Sequence, residues 1–222
     1  MKYDVFISCS SKNQKIKIET PTNIHKTMDE KKNELEKDFS QTKKYNSREW
    51  VDLALPSGLK WATCNLGATT PEEYGDYFAW GETEPKSGYT ADNSTTYKKA
   101  IGDISGDLRY DTARKNWGNS WRIPTEAEFS ELISNCTWTW TTQNNVNGYR
   151  VTGVNGNSIF LPAASCCVGS SLSSRGEYGN YWASTPERRD SEDAYCLSFY
   201  CSYHLMEWTF RYLGQTVRPV CE

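Results

Sequence analysis

Residues 194–200 read Ala-Tyr-Cys-Leu-Ser-Phe-Tyr, and this run decides how the C-terminal half of the chain is expected to fold. Large apolar side chains alternate with smaller ones, which is typical of a strand, because successive side chains of a strand point to opposite faces of the sheet. The alternation predicts an inward set and an outward set. The inward set is Tyr195, Leu197 and Phe199, and the outward set is Cys196, Ser198 and Tyr200.

The longer stretch from Tyr195 to Leu213 is rich in aromatic side chains. Seven of its 19 residues are Phe, Tyr or Trp, against 14% in the whole chain. A contiguous exposed patch of such side chains marks an interaction site. The side chains predicted to extend the outward set are Tyr203, His204, Met206, Trp208, Phe210, Tyr212 and Leu213. The stretch therefore predicts a binding protein rather than an enzyme, with burial in the interior as the alternative.

Short apolar runs bounded by Gly, Asn, Pro and Ser follow one another beyond residue 50, as is typical of strands. The clearest are residues 148–152, 158–161 and 195–200. Asn155 and Gly156 lie between the first two runs and predict a hairpin turn there, because this dipeptide accepts the positive φ that tight turns require.

Two helices are predicted between residues 111 and 133. The first covers 111–117 with Asp111 as its N-cap, and the second begins at Thr125 with acidic residues in its first turn. One face of the second helix carries Phe129, Leu132 and Ile133. The chain is therefore expected to form one α+β domain with two helices and a C-terminal half rich in strands and loops.

The charge pattern argues against several classes of partner. The 25 Lys and Arg residues and 28 Asp and Glu residues are mixed along the chain and give a net charge of −3, so no basic stripe is available for nucleic acid. No apolar run approaches the roughly 18 residues that cross a bilayer. The run Val5-Phe6-Ile7 is shorter than the apolar part of a secretory signal. We expect a soluble, cytoplasmic protein, with display at the cell surface as the alternative.

Eight cysteines fall at positions 9, 64, 136, 166, 167, 196, 201 and 221. No export signal is predicted, which favours free thiols over disulfides. No pair has C-x-x-C spacing and only two histidines are present, so neither a zinc site nor another metal or cofactor site is expected.

Residues 1–49 differ in composition from the remainder. None of the 15 glycines and none of the nine tryptophans lies before Trp50. A thin apolar seam, Ile24, Met28, Leu35 and Phe39, runs through alternating charges. We expect a charged lead-in that is partly helical or disordered, with a weak coiled coil that makes a homo-oligomer as the alternative, followed by a domain over 50–222.

Several runs between residues 49 and 222 resemble the Fibrobacter succinogenes major paralogous domain, a family common in Bacteroides-type bacteria. They are residues 53–68 (LALPSGLKWATCNLGA), 77–82 (YFAWGE), 121–125 (WRIPT), 159–164 (IFLPAA), 181–185 (YWAST) and 217–220 (VRPV). The resemblance implies a C-type-lectin-like fold related to formylglycine-generating enzymes. Some members are variable proteins of diversity-generating retroelements, in which adenine-directed mutagenesis rewrites chosen codons near the C-terminus while the scaffold codons stay fixed.

The resemblance implies which positions are rewritten. Family members commonly read Asn-Ala-Tyr-Asn-Leu-Asn-Phe-Asn where residues 193–200 read Asp-Ala-Tyr-Cys-Leu-Ser-Phe-Tyr, so the expected scaffold is kept while the alternate positions differ. Arg211 joins the expected scaffold. The expected variable, ligand-binding positions are Cys166, Cys167, Val168, Ser173, Arg175, Glu177, Tyr178, Cys196, Ser198, Tyr200, Tyr203, Met206, Trp208, Phe210, Tyr212 and Leu213. Their ligand is expected to be a macromolecule or cell-surface group, either protein or glycan.

Three other functions are alternatives to a diversified binding protein. One is a lectin-like domain that binds carbohydrate or protein without diversification. Another is an oxidase like the formylglycine-generating enzymes, but their copper-binding cysteine pair has no counterpart here. A calcium-dependent lectin is also disfavoured, because Glu84-Pro85-Lys86 lacks nearby carboxylates in a suitable spacing.

A second resemblance is confined to residues 3–13 (YDVFISCSSKN), which are similar to the opening strand and loop of a Toll/interleukin-1 receptor domain. Nothing after Gln14 continues that fold, so a truncated remnant is expected, without NAD-cleaving activity.

Overall fold

The strands of the described residues form four small sheets. In the computed structural model, residues 43–45, 48–172 and 174–222 are described, and all of them belong to one compact unit, Asp38–Glu222. The predictions for the seam at Ile24–Phe39 and for residues 3–13 fall outside the described residues. The predicted lead-in nevertheless ends in a strand, because Lys43–Tyr45 pairs with Arg48–Trp50.

The strands pair antiparallel throughout the described sheets. They are β1 (Lys43–Tyr45), β2 (Arg48–Asp52), β3 (Lys60–Ala62), β4 (Thr137–Gln143), β5 (Val146–Thr152), β6 (Ser158–Pro162), β7 (Cys167–Val168), β8 (Ser171–Leu172), β9 (Gly179–Pro186), β10 (Asp193–Tyr200), β11 (Tyr203–Phe210) and β12 (Val220–Cys221). The sheet orders are β1-β2-β3-β12, β11-β10-β9, β4-β5-β6 and β7-β8. The fold is therefore mixed α+β, as predicted.

Both predicted helices are confirmed. Helix α1 (Thr112–Trp117) is capped by Asp111, whose side chain accepts from the Arg114 N–H. Helix α2 (Glu126–Asn135) is capped by Thr125 in a reciprocal box with Glu128, which satisfies two of the N–H groups that a helix start leaves without partners. A short 3₁₀ turn covers Ala91–Asn93.

The predicted hairpin is confirmed as well. It joins β5 to β6, and Gly156 has a φ of +83° in its turn. The Gly153 N–H donates to the carbonyl of Asn157 and closes the loop. The turn follows from local residues, because glycine adopts positive φ without a steric penalty.

The two largest of four apolar clusters hold most of the described part of the chain together. The larger lies between α2 and the strands, and Phe129 and Leu132 of α2 are fully buried in it, as predicted. Ile133 packs against it while remaining partly exposed. The smaller cluster is built around Trp80 and Trp182. No helix of the described residues is both long enough and apolar enough to cross a membrane.

Candidate ligand-binding surface

The sheet β9-β10-β11 carries seven of the sixteen expected variable positions, and its register assigns each of these side chains to a face. Residues directly opposite in an antiparallel pair share a face. Leu197 pairs with Met206, and Ser198 pairs with Leu205. We call the face that carries Leu197 and Met206 the inner face, and the face that carries Ser198 and Leu205 the outer face. The inner face carries Tyr195, Leu197, Phe199, His204, Met206, Trp208 and Phe210, and the outer face carries Cys196, Ser198, Tyr200, Tyr203, Leu205 and Glu207.

The inner face of β10 packs on the larger core, as the alternation predicts. Leu197 and Phe199 are fully buried, and Tyr195 packs against the same cluster while remaining partly exposed. The Phe199 ring lies 5.8 Å from the ring of Tyr181 and 5.4 Å from that of Tyr149, measured between centroids. These contacts fix the central strand against β5 and β9.

The prediction that Cys196 and Ser198 point to solvent is wrong. Their exposed fractions are 1% and 6%. Cys196 packs in the smaller cluster with Trp80 and Trp182, because the segment of Trp80 crosses this end of the outer face. The Trp80 N–H donates to the carbonyl of Arg211, at the end of β11. A strand covered on both faces buries both alternating sets.

Three tyrosines form a continuous row at the outer face, which we call the tyrosine group: Tyr178, Tyr200 and Tyr203, of which Tyr200 is half-buried. The Tyr178 and Tyr200 rings stack with centroids 4.9 Å apart, and the Tyr200 and Tyr203 rings are tilted at 6.2 Å. Tyr178 and Tyr203 are each 40% exposed. Their neighbour Leu205 is exposed on the same face, so this end of the sheet presents an apolar surface with phenol groups on it.

A second aromatic group, which we call the distal group, contains Tyr97, Tyr195, Trp208, Phe210 and Tyr212. Phe210 and Tyr212 stack at 5.3 Å, and Tyr97 meets Tyr212 edge to face at 5.2 Å. Trp208 is 55% exposed and lies 6.1 Å from Tyr195.

The single aromatic surface predicted from the sequence is therefore two surfaces. Tyr203 and Phe210 begin and end β11, about 23 Å apart at the rise of a strand. The register also assigns them to opposite faces. The sequence pattern missed this because a tight turn joins β10 to β11. Across that turn the even-numbered positions of β10 share a face with the odd-numbered positions of β11, beginning at Tyr203.

Three further predicted positions are partly covered. Met206 packs against the larger cluster and Leu213 against the smaller one. The His204 ring stacks on Trp138 at 4.4 Å with an angle of 7° between the planes, and burial lowers the pKa of His204. These side chains therefore pack β11 and the residues after it against the core, and they leave little area for contact with a ligand.

The loop that precedes β9 reaches the same surface. The N–H of Cys167 donates to the Gly214 carbonyl at 2.7 Å, and the Gly214 N–H donates back at 3.0 Å. The Ser165 N–H donates to the Tyr178 carbonyl, which brings Tyr178 against Tyr200. Cys166 and Cys167 are half-buried, whereas Val168, Arg175 and Glu177 are exposed. Ser173 lies outside the described residues.

Arg175 is held over two tyrosines at the rim of this loop. Its Nε donates to the Tyr77 hydroxyl at 3.3 Å, and its guanidinium lies 5.0 Å from the centroid of the Tyr74 ring. Cation–π contacts of this kind restrict the side chain without neutralising its charge. The loop that carries Tyr178 therefore also carries a cation.

Three thiols and one phenol at or beneath this surface have raised pKa values. Burial raises the pKa of Cys196 to about 12 and also raises the pKa of Cys166 and Cys167. The neighbouring Cys201 raises the pKa of Tyr200. A thiol or phenol with a raised pKa carries no charge at neutral pH and can donate a hydrogen bond, so these four side chains offer contact area and hydrogen bonds rather than charge.

Two features of the surface were not found from the sequence. Tyr97 lies far from β11 in the chain, and nothing in its neighbourhood indicates that it meets Phe210 and Tyr212. Its hydroxyl donates to Glu192 at 2.6 Å, and that hydrogen bond raises the pKa of Tyr97 to about 12. Leu205 could have been found by extending the alternation of Tyr203 along β11.

Among the described residues, no group of three or more His, Cys, Asp or Glu side chains could hold a metal ion, and all seven described cysteines are free. Comparison of the chain with protein-family models, with curated proteins and with solved structures found no match.

Proposed function

We propose that the chain is a ligand-binding variable protein of a diversity-generating retroelement, which displays a rewritten surface on a fixed C-type-lectin-like scaffold. The tyrosine group carries this proposal. Its three members are expected variable positions from two separate segments of the chain, and their rings form one row in which Tyr178 and Tyr203 are exposed and Tyr200 is half-buried. Separate segments that converge in this way make a composite contact surface.

The burial of the expected fixed positions supports the same proposal. Leu197 and Phe199 have no exposed surface, and Arg211 is 1% exposed. Substitution at such positions disturbs packing, whereas most exposed positions accept change within about 0.5 kcal/mol. A binding surface can therefore vary at Tyr178 or Tyr203 while these buried neighbours keep its geometry.

Cys196 and Ser198 fit the proposal less simply, because both are buried. They lie beneath the outer face, where the Asn180 amide reaches the Ser198 hydroxyl at 3.5 Å. Variation at these two positions would act by changing the support of the surface rather than by touching a ligand. We accordingly assign contact roles to the exposed positions alone.

The ligand in this proposal is a protein or a glycan of the cell surface. Tyrosine and tryptophan side chains give large contact areas with few torsions to restrain, and each buried aromatic of the surface is expected to contribute about 1–3 kcal/mol. The side chains with the most area to lose are Tyr178 and Tyr203 in the tyrosine group and Trp208 in the distal group.

A pair of display libraries tests the proposal. The first randomises five exposed or half-exposed variable positions, Arg175, Glu177, Tyr178, Tyr200 and Tyr203. The control randomises five other exposed positions, Ser134, Thr137, Thr139, Thr142 and Arg150. Both are selected against an immobilised globular protein, lysozyme, and an immobilised polysaccharide, dextran.

We expect the first library to yield many specific binders while most clones stay folded, because its positions form one contiguous surface over a buried scaffold. We expect the control library to yield few, since its positions follow one exposed hairpin and its helix end. Equal yields of binders from the two libraries, or a first library that is largely unfolded, would count against the proposal.

A further inference from the structure

An open pocket of about 550 Å³ lies apart from the tyrosine group. Its walls are residues 99–102, residues 186–191 and Arg211. Four of the lining residues are basic, Lys99, Arg188, Arg189 and Arg211, and two are acidic, Glu187 and Asp190. Neither of the two loops that form its walls contains an expected variable position.

Arg211 is the one buried cation of the pocket lining, with an exposed fraction of 1%. Its Nε donates to the carbonyl of Asp193 at 3.0 Å, and its Nη1 donates to the carbonyl of Lys99 at 2.9 Å. The guanidinium lies 4.3 Å from the centroid of a Trp80 ring. All three contacts are to uncharged groups, while the Asp193 and Asp190 carboxylates act on the guanidinium through space without a hydrogen bond to it.

The Nη2 atom of Arg211 has no acceptor among the described residues and is not sealed from solvent. Burial lowers the pKa of Arg211, which reflects a cation whose lost hydration is only partly replaced. A buried charge is ordinarily paired with an opposite charge. Arg211 therefore presents an unused donor where the pocket leaves room for an acceptor.

The two carboxylates of the lining are already engaged by their own loop. Glu187 accepts from the backbone N–H groups of Arg189 and Asp190 at 2.5 and 2.8 Å, and Asp190 accepts from the N–H of Glu192 at 2.8 Å. Arg189 pairs with Glu187 at 3.2 Å.

Two basic side chains of the lining have no such partner. Within the described residues, neither the Lys99 ammonium nor the Arg188 guanidinium has a hydrogen bond or an ion pair, and both side chains are exposed. The pocket thus combines one buried cation that has a free donor with two exposed cations at its surface. Charge-assisted hydrogen bonds from such donors are the strongest that a protein offers to an oxyanion.

We propose that this pocket binds the oxyanion group of a ligand, a carboxylate or a phosphate, with Arg211 as its buried anchor and Lys99 and Arg188 as flanking cations. The site goes beyond the proposed variable surface, because neither loop of the pocket belongs to that surface. A ligand group bound here would be recognised by fixed residues, whatever the tyrosine group recognises.

The site is tested by titrating the ¹⁵N-labelled full chain with anions. Binding is monitored through the backbone amide signals of Ala100, Gly102 and Ser191, which line the pocket. The probes are sodium acetate and sodium phosphate at constant ionic strength, set with sodium chloride. The test variant is the double change Lys99→Gln and Arg188→Gln, which keeps the Lys99 carbonyl that holds Arg211. The control variant is Lys115→Gln with Arg150→Gln, which removes the same charge from exposed sites elsewhere.

We expect saturable shifts of the lining amides with at least one anion, and about tenfold weaker binding in the test variant than in the control variant. Binding of acetate alone identifies a carboxylate ligand, binding of phosphate alone identifies a phosphate ligand, and binding of both supports a general oxyanion site. The proposal is overturned if neither anion moves these amides, or if the test variant binds as tightly as the control.

Discussion

Replacing Arg218 by Met is expected to lower the free energy of unfolding by about 3–5 kcal/mol. The guanidinium is fully buried. Its Nη1 donates to the carbonyls of Ala62 and Thr63 at 3.0 and 2.7 Å, and its Nη2 donates to the carbonyl of Phe160 at 2.8 Å. Its Nε donates to the Asn65 side chain at 2.8 Å.

The expected loss is large because one side chain satisfies acceptors from segments far apart in the chain. Methionine fills similar space but offers no donor, so the buried carbonyls would lose their partners. Lysine is expected to be a poor replacement as well, since a single ammonium cannot reproduce the planar set of donors.

Chemical denaturation of the purified variants measures the effect. Arg150→Met is the matched control, because Arg150 is exposed and such changes are usually within about 0.5 kcal/mol of neutral. An Arg218→Met variant as stable as this control would show that the guanidinium is not the structural tie that its four bonds indicate.

Gly179→Ala is expected to destabilise the sheet beneath the tyrosine group by about 1–3 kcal/mol, the usual cost of overpacking a core. A Cβ at this position would lie 2.0 Å from Cζ of Phe199, well inside van der Waals contact. Phe199 is itself held between Tyr181 and Tyr149, so its ring has little freedom to move away.

A double-mutant cycle makes the cause specific. Phe199→Leu shortens the side chain that clashes, so the combination of Gly179→Ala with Phe199→Leu should be more stable than the sum of the single changes predicts, by roughly 0.5–3 kcal/mol. Gly102→Ala is the control, because a Cβ there meets nothing within 4 Å. Additive effects, or equal stability of the Gly179→Ala and Gly102→Ala variants, would contradict the proposed clash.

Features of the fold that depend on neighbours in sequence could be predicted. The caps of α1 and α2, the turn at Gly156 and the strand 195–200 are each determined by a few adjacent residues. Such local preferences act within one turn of a helix or one hairpin, so the pattern of residues contains them.

Features that depend on distant segments could not be predicted. The outer face of β10 is covered near Cys196 by the segment of Trp80. The alternation of residues in β10 does not predict that this segment packs there. Arg218 looks like a surface residue in sequence, although it lies in the interior. The pairing of β12 with β3 likewise joins residues that are about 160 positions apart in the chain, and no residues near either strand predict it.

The candidate surface shows the same limit. The aromatic composition of residues 195–213 correctly indicated exposed aromatic side chains, but their division into the tyrosine group and the distal group follows from the register of β10 with β11. A shift of register by one residue would have exchanged the faces. The position of the loop around Tyr178 depends on its backbone pairing with Ser165, which composition does not reveal.

Sequencing the DNA that flanks the coding gene tests the central claim, that this surface is a diversified binding surface. We predict a reverse transcriptase gene and a template repeat that matches the codons of residues 165–213 except at template adenines. The differences should include the codons of Tyr178, Tyr200 and Tyr203 and should spare those of Leu197, Phe199 and Arg211. The absence of such a repeat, or differences spread equally over scaffold codons, would contradict the claim.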